Sequence, residues 1–303
     1  MNSKRKYLLY IALVIIIGTI LNWYCCCNAS VSTKPAVVQK STPIAPVKEP
    51  SGGILISEAN GDFNYQHNDH INFAKSSAVI IDPVSKNVDT GIEKLKNYLT
   101  KFPNKTVLIT GLYKKSETYN GALPNLGIAR ANSTKNYLVS KGISSTQIDL
   151  FSKVREELTE VNNTIYKGPL VFEVIKDKEN ESDNLAKLKA EIQADPLVLY
   201  FNTGESNISL SQVQKQKVAN ISKYLDKTNS KAAVIGHTDS VGNVTKNTIL
   251  GQQRADFAKA YLIKNGIPSS KIIATSKGPL EPIATNETAE GRSKNRRTVI
   301  TIN

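Results

Sequence analysis

Cysteine is absent from the body of this chain. All three cysteines are consecutive, Cys25, Cys26 and Cys27, so neither a disulfide framework nor a thiolate zinc site can form downstream of them. Histidine is nearly as scarce, with three residues in 303. His237 has no second histidine near it, which argues against a metal there. Aromatics are 7% of residues and are not interleaved with an Arg-rich patch. Nucleic acid is therefore disfavoured as a partner, despite a formal net charge of +13. That excess reads either as a preference for anionic surroundings, such as a membrane surface or an acidic polymer, or as a solvated, Lys-rich surface. No Ser-His-Asp order, paired-carboxylate spacing or His-x-x-x-Asp zinc pattern is present, so an enzyme is not expected and no cofactor is called for. The alternating, roughly ten-residue strands of a barrel porin are also missing.

The N-terminus is rich where the rest is lean. Lys4, Arg5 and Lys6 precede an apolar run from Tyr7 to Cys27. The run has the ~20-residue length of a membrane-spanning helix and exceeds the ~7–15 residues of a signal-peptide core. The basic cluster should stay cytoplasmic and send the chain outward, with Trp23 and Tyr24 at an interface. A lipoprotein reading, which would place the chain at the outer membrane, competes because cysteines end the run. Tyr24 before Cys25 fits a lipobox poorly. Tyr7 to Cys27 holds no Asp, Glu, Lys, Arg or His, whereas ion- or proton-driven segments usually carry one. The expectation is an anchor at 1–30, inner-membrane with periplasmic domains beyond. Residues 31–53, rich in Pro, Lys, Ser and Thr, read as an extended linker.

The remainder repeats itself. "LGIARANSTKNYLVSKGISSTQI" (126–148) aligns without gaps to "LGQQRADFAKAYLIKNGIPSSKI" (250–272), with 11 of 23 positions identical. Two copies at so long an offset fit tandem domains better than a solenoid. The boundary is placed at 177–184, in "KDKENESD". In the second copy "PLVLYF" (196–201) reads as a strand. A helix follows, with Val213, Val218, Ile221 and Leu225 at roughly helical spacing and Ser209 as N-cap. "KAAVIG" is the next strand. A second helix runs from about Thr245 to Lys264, with Ala255, Ala258 and Leu262 on one face, and stops at Asn265-Gly266. "KIIATS" and "RTVITI" supply two more strands. The expected fold class is α+β, with two tandem β-α-β-α-β(-β) domains, 54–177 and 184–303, each with helices on one face of a mixed sheet.

Asp239 follows the strand "AAVIG" in "GHTDSVG". A strand–loop–helix hairpin brings it toward Arg254 at one end of the sheet. Asp can hold an ammonium, and the planar Arg fork can hold a carboxylate bidentately. A ligand bearing both charges on one carbon would satisfy both. Alternatively, Asp239 caps a loop or helix start and Arg254 is a surface helix residue. Arg292, Arg296 and Arg297 read either as solvated charge at a strand start or as site residues.

Gly-His-Thr-Asp, Leu-x-x-x-Arg-Ala, Glu-Gly-Arg and Asn-Arg-Arg occur in an order and spacing that resemble the OmpA-like C-terminal domain family, over about 184–303. The resemblance implies a peptidoglycan-binding module. In it Asp239 and Arg254 grip the ammonium and carboxylate of diaminopimelate, Asn247 lines the pocket, and Thr238 and Arg296 support it. Lys246 stands where the family often has Tyr. The first copy keeps Gly111 and Arg130 as counterparts of Gly236 and Arg254. It has no aspartate in the loop, where Lys114, or Leu112 under a shifted gap, replaces Asp239. It resembles a degenerate OmpA-like domain, expected not to bind diaminopimelate. The leading expectation is a non-catalytic tether between a membrane and peptidoglycan. The alternative is a wall-anchored subunit of a motor, transport or secretion complex acting through protein contacts. The resemblance also admits a homodimer.

Overall fold

The computed structural model describes residues 53–59, 61–176 and 181–303. The expected anchor at 1–30 and all but the last residue of the expected linker lie outside the described residues, as do 177–180 of the expected boundary. Among the described residues no helix is long and apolar enough to cross a membrane.

The second half runs α3 (Glu181–Ala194), β9 (Leu197–Tyr200), α4 (Gln212–Lys227), β10 (Ala232–His237), α5 (Val244–Lys264), β11 (Ile272–Gly278), α6 (Ala289–Asn295) and β12 (Arg297–Ile302). The expected strand and helix order is present, with α3 before it and α6 inserted ahead of the last strand. The sheet order is β11-β10-β12-β9. β10 is parallel to β11 and antiparallel to β12, so the sheet is mixed. One face is covered. Ala232 and Val234 are buried with Val218, Leu225, Ala255, Ala258 and Leu262, while Ile273 on β11 stays 48% exposed.

Two details differ from the sequence reading. The N-cap of α4 is Ser211, not Ser209, and it forms a reciprocal capping box with Gln214. Val213 is 68% exposed rather than part of the core. Five residues before Val218 is a rotation of roughly 140° on a helix of 3.6 residues per turn, so the two cannot share a face. At the other helix end Gly266 takes φ +87°, the left-handed conformation a C-terminal stop requires.

The first half runs β1 (Ile54–Glu58), β2 (Asn64–His67), β3 (Phe73–Ala74), α1 (Lys86–Lys101), β4 (Lys105–Tyr113), α2 (Leu126–Ser140), β5 (Ile148–Val154), β6 (Glu160–Val161), β7 (Ile165–Tyr166) and β8 (Leu170–Lys176). Val88, Ile92, Leu95 and Leu99 form the apolar stripe of α1, capped by Ser85. The main sheet is β2-β1-β8-β4-β5, and β3-β7-β6 form a small second one. β4 is parallel to β5 and antiparallel to β8, matching β10 with β11 and β12. The edges differ. β9 runs antiparallel to β12, whereas β1 runs parallel to β8. The halves meet through ion pairs between Lys135 and Asp226 and between Lys227 and Asp149, the latter at 3.2 Å.

Candidate functional site

The site begins with two glycines. A Cβ on Gly236 would lie 1.8 Å from the carbonyl oxygen of Gly251. Only glycine lets α5 approach β10 this closely, and the approach carries Arg254, less than one turn further on, under the end of the strand. Arg254 is 0% exposed. Its Nε donates to the Glu205 carbonyl at 2.8 Å, one terminal nitrogen to His237 O at 3.0 Å, and the other to Asn202 O at 3.1 Å. Its guanidinium carbon lies 5.0 Å from the Phe201 ring centroid, a cation–π arrangement. Three of its five N–H groups are thus spent on fixed backbone acceptors. Burial and the neighbouring Arg296 push its pKa down to about 10, against the pull of Asp239. It stays charged at neutral pH.

Asp239 is 6% exposed. One carboxylate oxygen accepts from the Val241 N–H at 3.2 Å and the other from Arg296 at 2.9 Å. Arg296 also donates through Nε to Phe201 O at 3.0 Å. Asn247 bridges the loop, its Nδ2 donating to Asp239 O at 3.3 Å and Val241 O at 3.0 Å. Thr238 donates its N–H to Gly278 O at 2.9 Å and its hydroxyl to Asp239 O at 2.9 Å. The structure therefore brings Thr238, Asp239, Asn247 and Arg296 into direct contact. Arg254 joins through the His237 carbonyl, not through an ion pair with Asp239. Among the described residues no carboxylate lies in ion-pair range of Arg254. Lys246 is exposed at the rim.

Arg292 of α6, Arg296 between the two elements and Arg297 of β12 are not free surface charge. Arg292 donates to the carbonyls of Asn286 and Glu287, and Arg297 to those of Asn295 and Glu281. His237 is the last residue of β10 and 3% exposed, with Nδ1 unpartnered. Burial, helped by Arg297 and Lys277 and opposed by Glu281, lowers its pKa to about 4, so it is neutral at pH 7. Among the described residues no cluster of three His, Cys, Asp or Glu side chains could hold a metal.

Sequence reasoning missed the floor and roof of the site. Phe201, with the Asn202 and Glu205 carbonyls, is the floor. Asn202-Thr203-Gly204 after the strand is a turn signal that was not read, and it would not have named the acceptors. Asn295, fully buried, is the roof. Its Oδ1 accepts from Ile283 and Ala284 N–H at 2.8 and 3.1 Å, and its Nδ2 donates to Asn286 Oδ1. Asn286 Oδ1 in turn accepts the Ser240 N–H at 3.2 Å.

The first half rebuilds the same frame. A Cβ on Gly111 would lie 1.9 Å from Gly127 O. Arg130, also 0% exposed, donates to Ser77 O at 3.1 Å, Leu112 O at 2.9 Å and Ala74 O at 3.3 Å, with the Phe73 ring 5.7 Å away. Leu112 is thus the counterpart of His237 and Lys114 that of Asp239. Lys114 pairs with Glu160 at 2.7 Å. The fork of Arg130 holds Glu117, at 2.6 and 3.1 Å to the two carboxylate oxygens.

The site thus sets a fixed guanidinium one loop away from a carboxylate, on an α+β scaffold with helices on one face of the sheet. Residues 200–296 match the OmpA family and form an OmpA family domain. Over 68 residues the chain is 48% identical to outer membrane protein A of Bordetella avium, covering 22% of this chain and 35% of that protein. Over 179 residues it is 27% identical to the peptidoglycan-associated lipoprotein of Buchnera aphidicola subsp. Baizongia pistaciae, covering 59% of this chain and 91% of that one. Among solved structures, the peptidoglycan-associated lipoprotein from Burkholderia pseudomallei is 22% identical. That match covers 35% of this chain and 89% of that one, with a TM-score of 0.33. The chain spans about a third of the length of the outer membrane protein A relative.

Proposed function

We propose that this chain is a non-catalytic envelope protein that tethers a membrane to peptidoglycan. The second half takes diaminopimelate of the stem peptide, its carboxylate on Arg254 and its ammonium on Asp239. Thr238 and Asn247 hold the Asp239 loop in shape, and Arg296 fixes the direction of the aspartate through its 2.9 Å contact. The first half, 54–177, is a degenerate domain of the same kind that does not bind this ligand. The OmpA family match over residues 200–296 and the printed name of the Buchnera relative support a wall ligand. The observation that carries the reading is the posture of Arg254. Three backbone carbonyls hold its guanidinium rigid and leave two of its five N–H groups without a protein acceptor, with Asp239 one loop away. Two cations and one anion suit a zwitterion carrying an extra carboxylate better than a cation. Such charge-assisted, bidentate contacts are the strong class of hydrogen bond.

The test is calorimetric titration of the full chain with meso-diaminopimelate, beside Asp239→Asn and Arg254→Lys. Both substitutions should weaken binding at least tenfold while circular dichroism stays unchanged, since truncating one side of a buried charge contact costs about 2–5 kcal/mol. If the unmodified chain neither takes up diaminopimelate nor sediments with purified peptidoglycan, the reading is wrong. The alternative of a subunit that works through protein contacts would then stand, favoured by exposed Val241, Val244, Leu280 and Ile283 around the loops.

A further inference from the structure

We propose that the first half carries a carboxylate-binding site that is permanently occupied by the protein's own Glu117. Four donors converge on this one side chain. Arg130 supplies two N–H groups, at 2.6 and 3.1 Å. The backbone N–H of Ser76 reaches Oε1 at 2.9 Å and that of Lys114 reaches Oε2 at 2.9 Å. Glu117's side chain is only 3% exposed. Burial alone would raise its pKa, but the bonds from Arg130, Lys114 and Ser76 hold it below the usual carboxylate value. This is the donor set of an anion site, two amides and a guanidinium fork.

An ordinary buried ion pair builds its own surroundings, with each partner positioning the other. Here the arginine is positioned without the acid. The carbonyls of Ala74, Ser77 and Leu112 hold Arg130 just as those of Asn202, Glu205 and His237 hold Arg254. The backbone turns beneath the two forks also correspond. Ser76 has φ +54° and Gly204 has φ +74°, each one residue before the carbonyl that accepts from the arginine Nε. Arg254 keeps this posture with no carboxylate in ion-pair range, Asp239 being paired with Arg296 instead. Glu117 is therefore an occupant of a preset site rather than a member of its frame.

The chain path explains how it arrives. Leu126 and Leu250 are counterparts, yet α2 starts at Leu126 while α5 starts at Val244. Six residues that form helix in the second half lie in the loop 114–125 in the first, and that loop returns Glu117 onto Arg130. A tethered carboxylate competes at a high effective concentration, so a free ligand at ordinary concentration does not displace it. The ligand class of the site, once unplugged, is a small carboxylate. The proposal rests on the first half's own contacts and is independent of what the second half binds.

The test uses the full chain, unmodified and as Glu117→Ala, with sodium acetate as probe and sodium chloride at equal ionic strength as control. In the variant, acetate should move the Ser76 and Lys114 amide resonances saturably, with a Kd on the order of millimolar, and raise the melting temperature. In the unmodified chain those resonances should stay still. A variant that is unfolded in chloride and folds in acetate supports the proposal equally. A folded variant whose Ser76 and Lys114 amides ignore acetate overturns it. So does a variant that stays unfolded in acetate, or equal movement of those resonances in the unmodified chain.

Discussion

Arg130 and Arg254 share a frame, three carbonyls and a phenylalanine ring, and differ in what faces the open side of the fork. In the first half the chain supplies Glu117; in the second it supplies Asp239, turned away to Arg296. Within one molecule, then, the same scaffold either closes its arginine fork with a carboxylate of its own or leaves it without one in ion-pair range. The choice lies in a loop and not in the helices or the sheet. The arginine common to the two halves does not by itself decide what meets its fork; the loop that precedes its helix does.

The comparison breaks most sharply at the arginines themselves. Arg130→Ala and Arg254→Ala each remove a donor from three carbonyls, so that part of the loss is common to both. Only Arg130→Ala also strands a buried carboxylate. It should cost about 3 kcal/mol more at neutral pH, in the range found for breaking one side of a buried pair. Urea denaturation of the two variants measures the difference, and the second change Glu117→Leu should recover most of it. Equal losses would mean that Glu117 is not held as described.

A smaller difference concerns acid. His237 in the second half is replaced by Leu112 at the corresponding position of the first. Unfolded, a histidine takes its proton near pH 6.5; folded, His237 does so only at about 4. Between those values the unfolded state binds more protons, so the contribution is complete above pH ~6.5 and is lost as pH falls toward 4. At ~1.4 kcal/mol per pH unit the loss is at most about 3 kcal/mol. His70 in the first half, lowered first by burial and then by Lys167, acts with the same sign. His237→Leu is therefore the variant that isolates the effect, and its stability between pH 7 and 5 should fall less than that of the unmodified chain. An unchanged slope would remove His237 from the account.

The smallest expected effect sharpens the correspondence of the turns. Ser76→Gly should change stability by no more than about 1 kcal/mol, because glycine accepts the positive φ that serine adopts at a cost. Gly204→Ala should lose a similar amount, from backbone strain alone, since open space surrounds it. Thermal melts that show the two changes with the same sign would separate the turns.

Much of the second half could be read in advance. The aligned stretches "LGIARA" and "LGQQRA" gave both arginines, whereas the tight contact of Gly251 with Gly236, on a different element, was not legible. Thr238, Asp239 and Asn247 lie within ten residues, so their contacts follow from one loop. Arg296 reaches Asp239 across 57 residues of sequence, and no periodicity reports a contact of that range. Glu117 is illegible for another reason: a loop residue follows no helical or strand period, and the residue aligned with Asp239 is Lys114, not Glu117. The edge of the first sheet was hidden too, since nothing in "ILISE" tells a parallel partner from an antiparallel one.

That edge has a mechanical meaning if the chain is the tether proposed above. A pull on the two ends of the first half would enter at Ile54, at the start of β1, and leave past Lys176, at the end of β8. These strands are neighbours and run parallel, with Ile56 beside Phe172 and Glu58 beside Val174. Pulling the two ends apart slides one strand along the other, so the hydrogen bonds between them bear the force together in shear. An antiparallel pair pulled from the same ends would peel open one bond at a time. Under the proposed tether, β1 and β8 of the first half would therefore resist such a pull in shear.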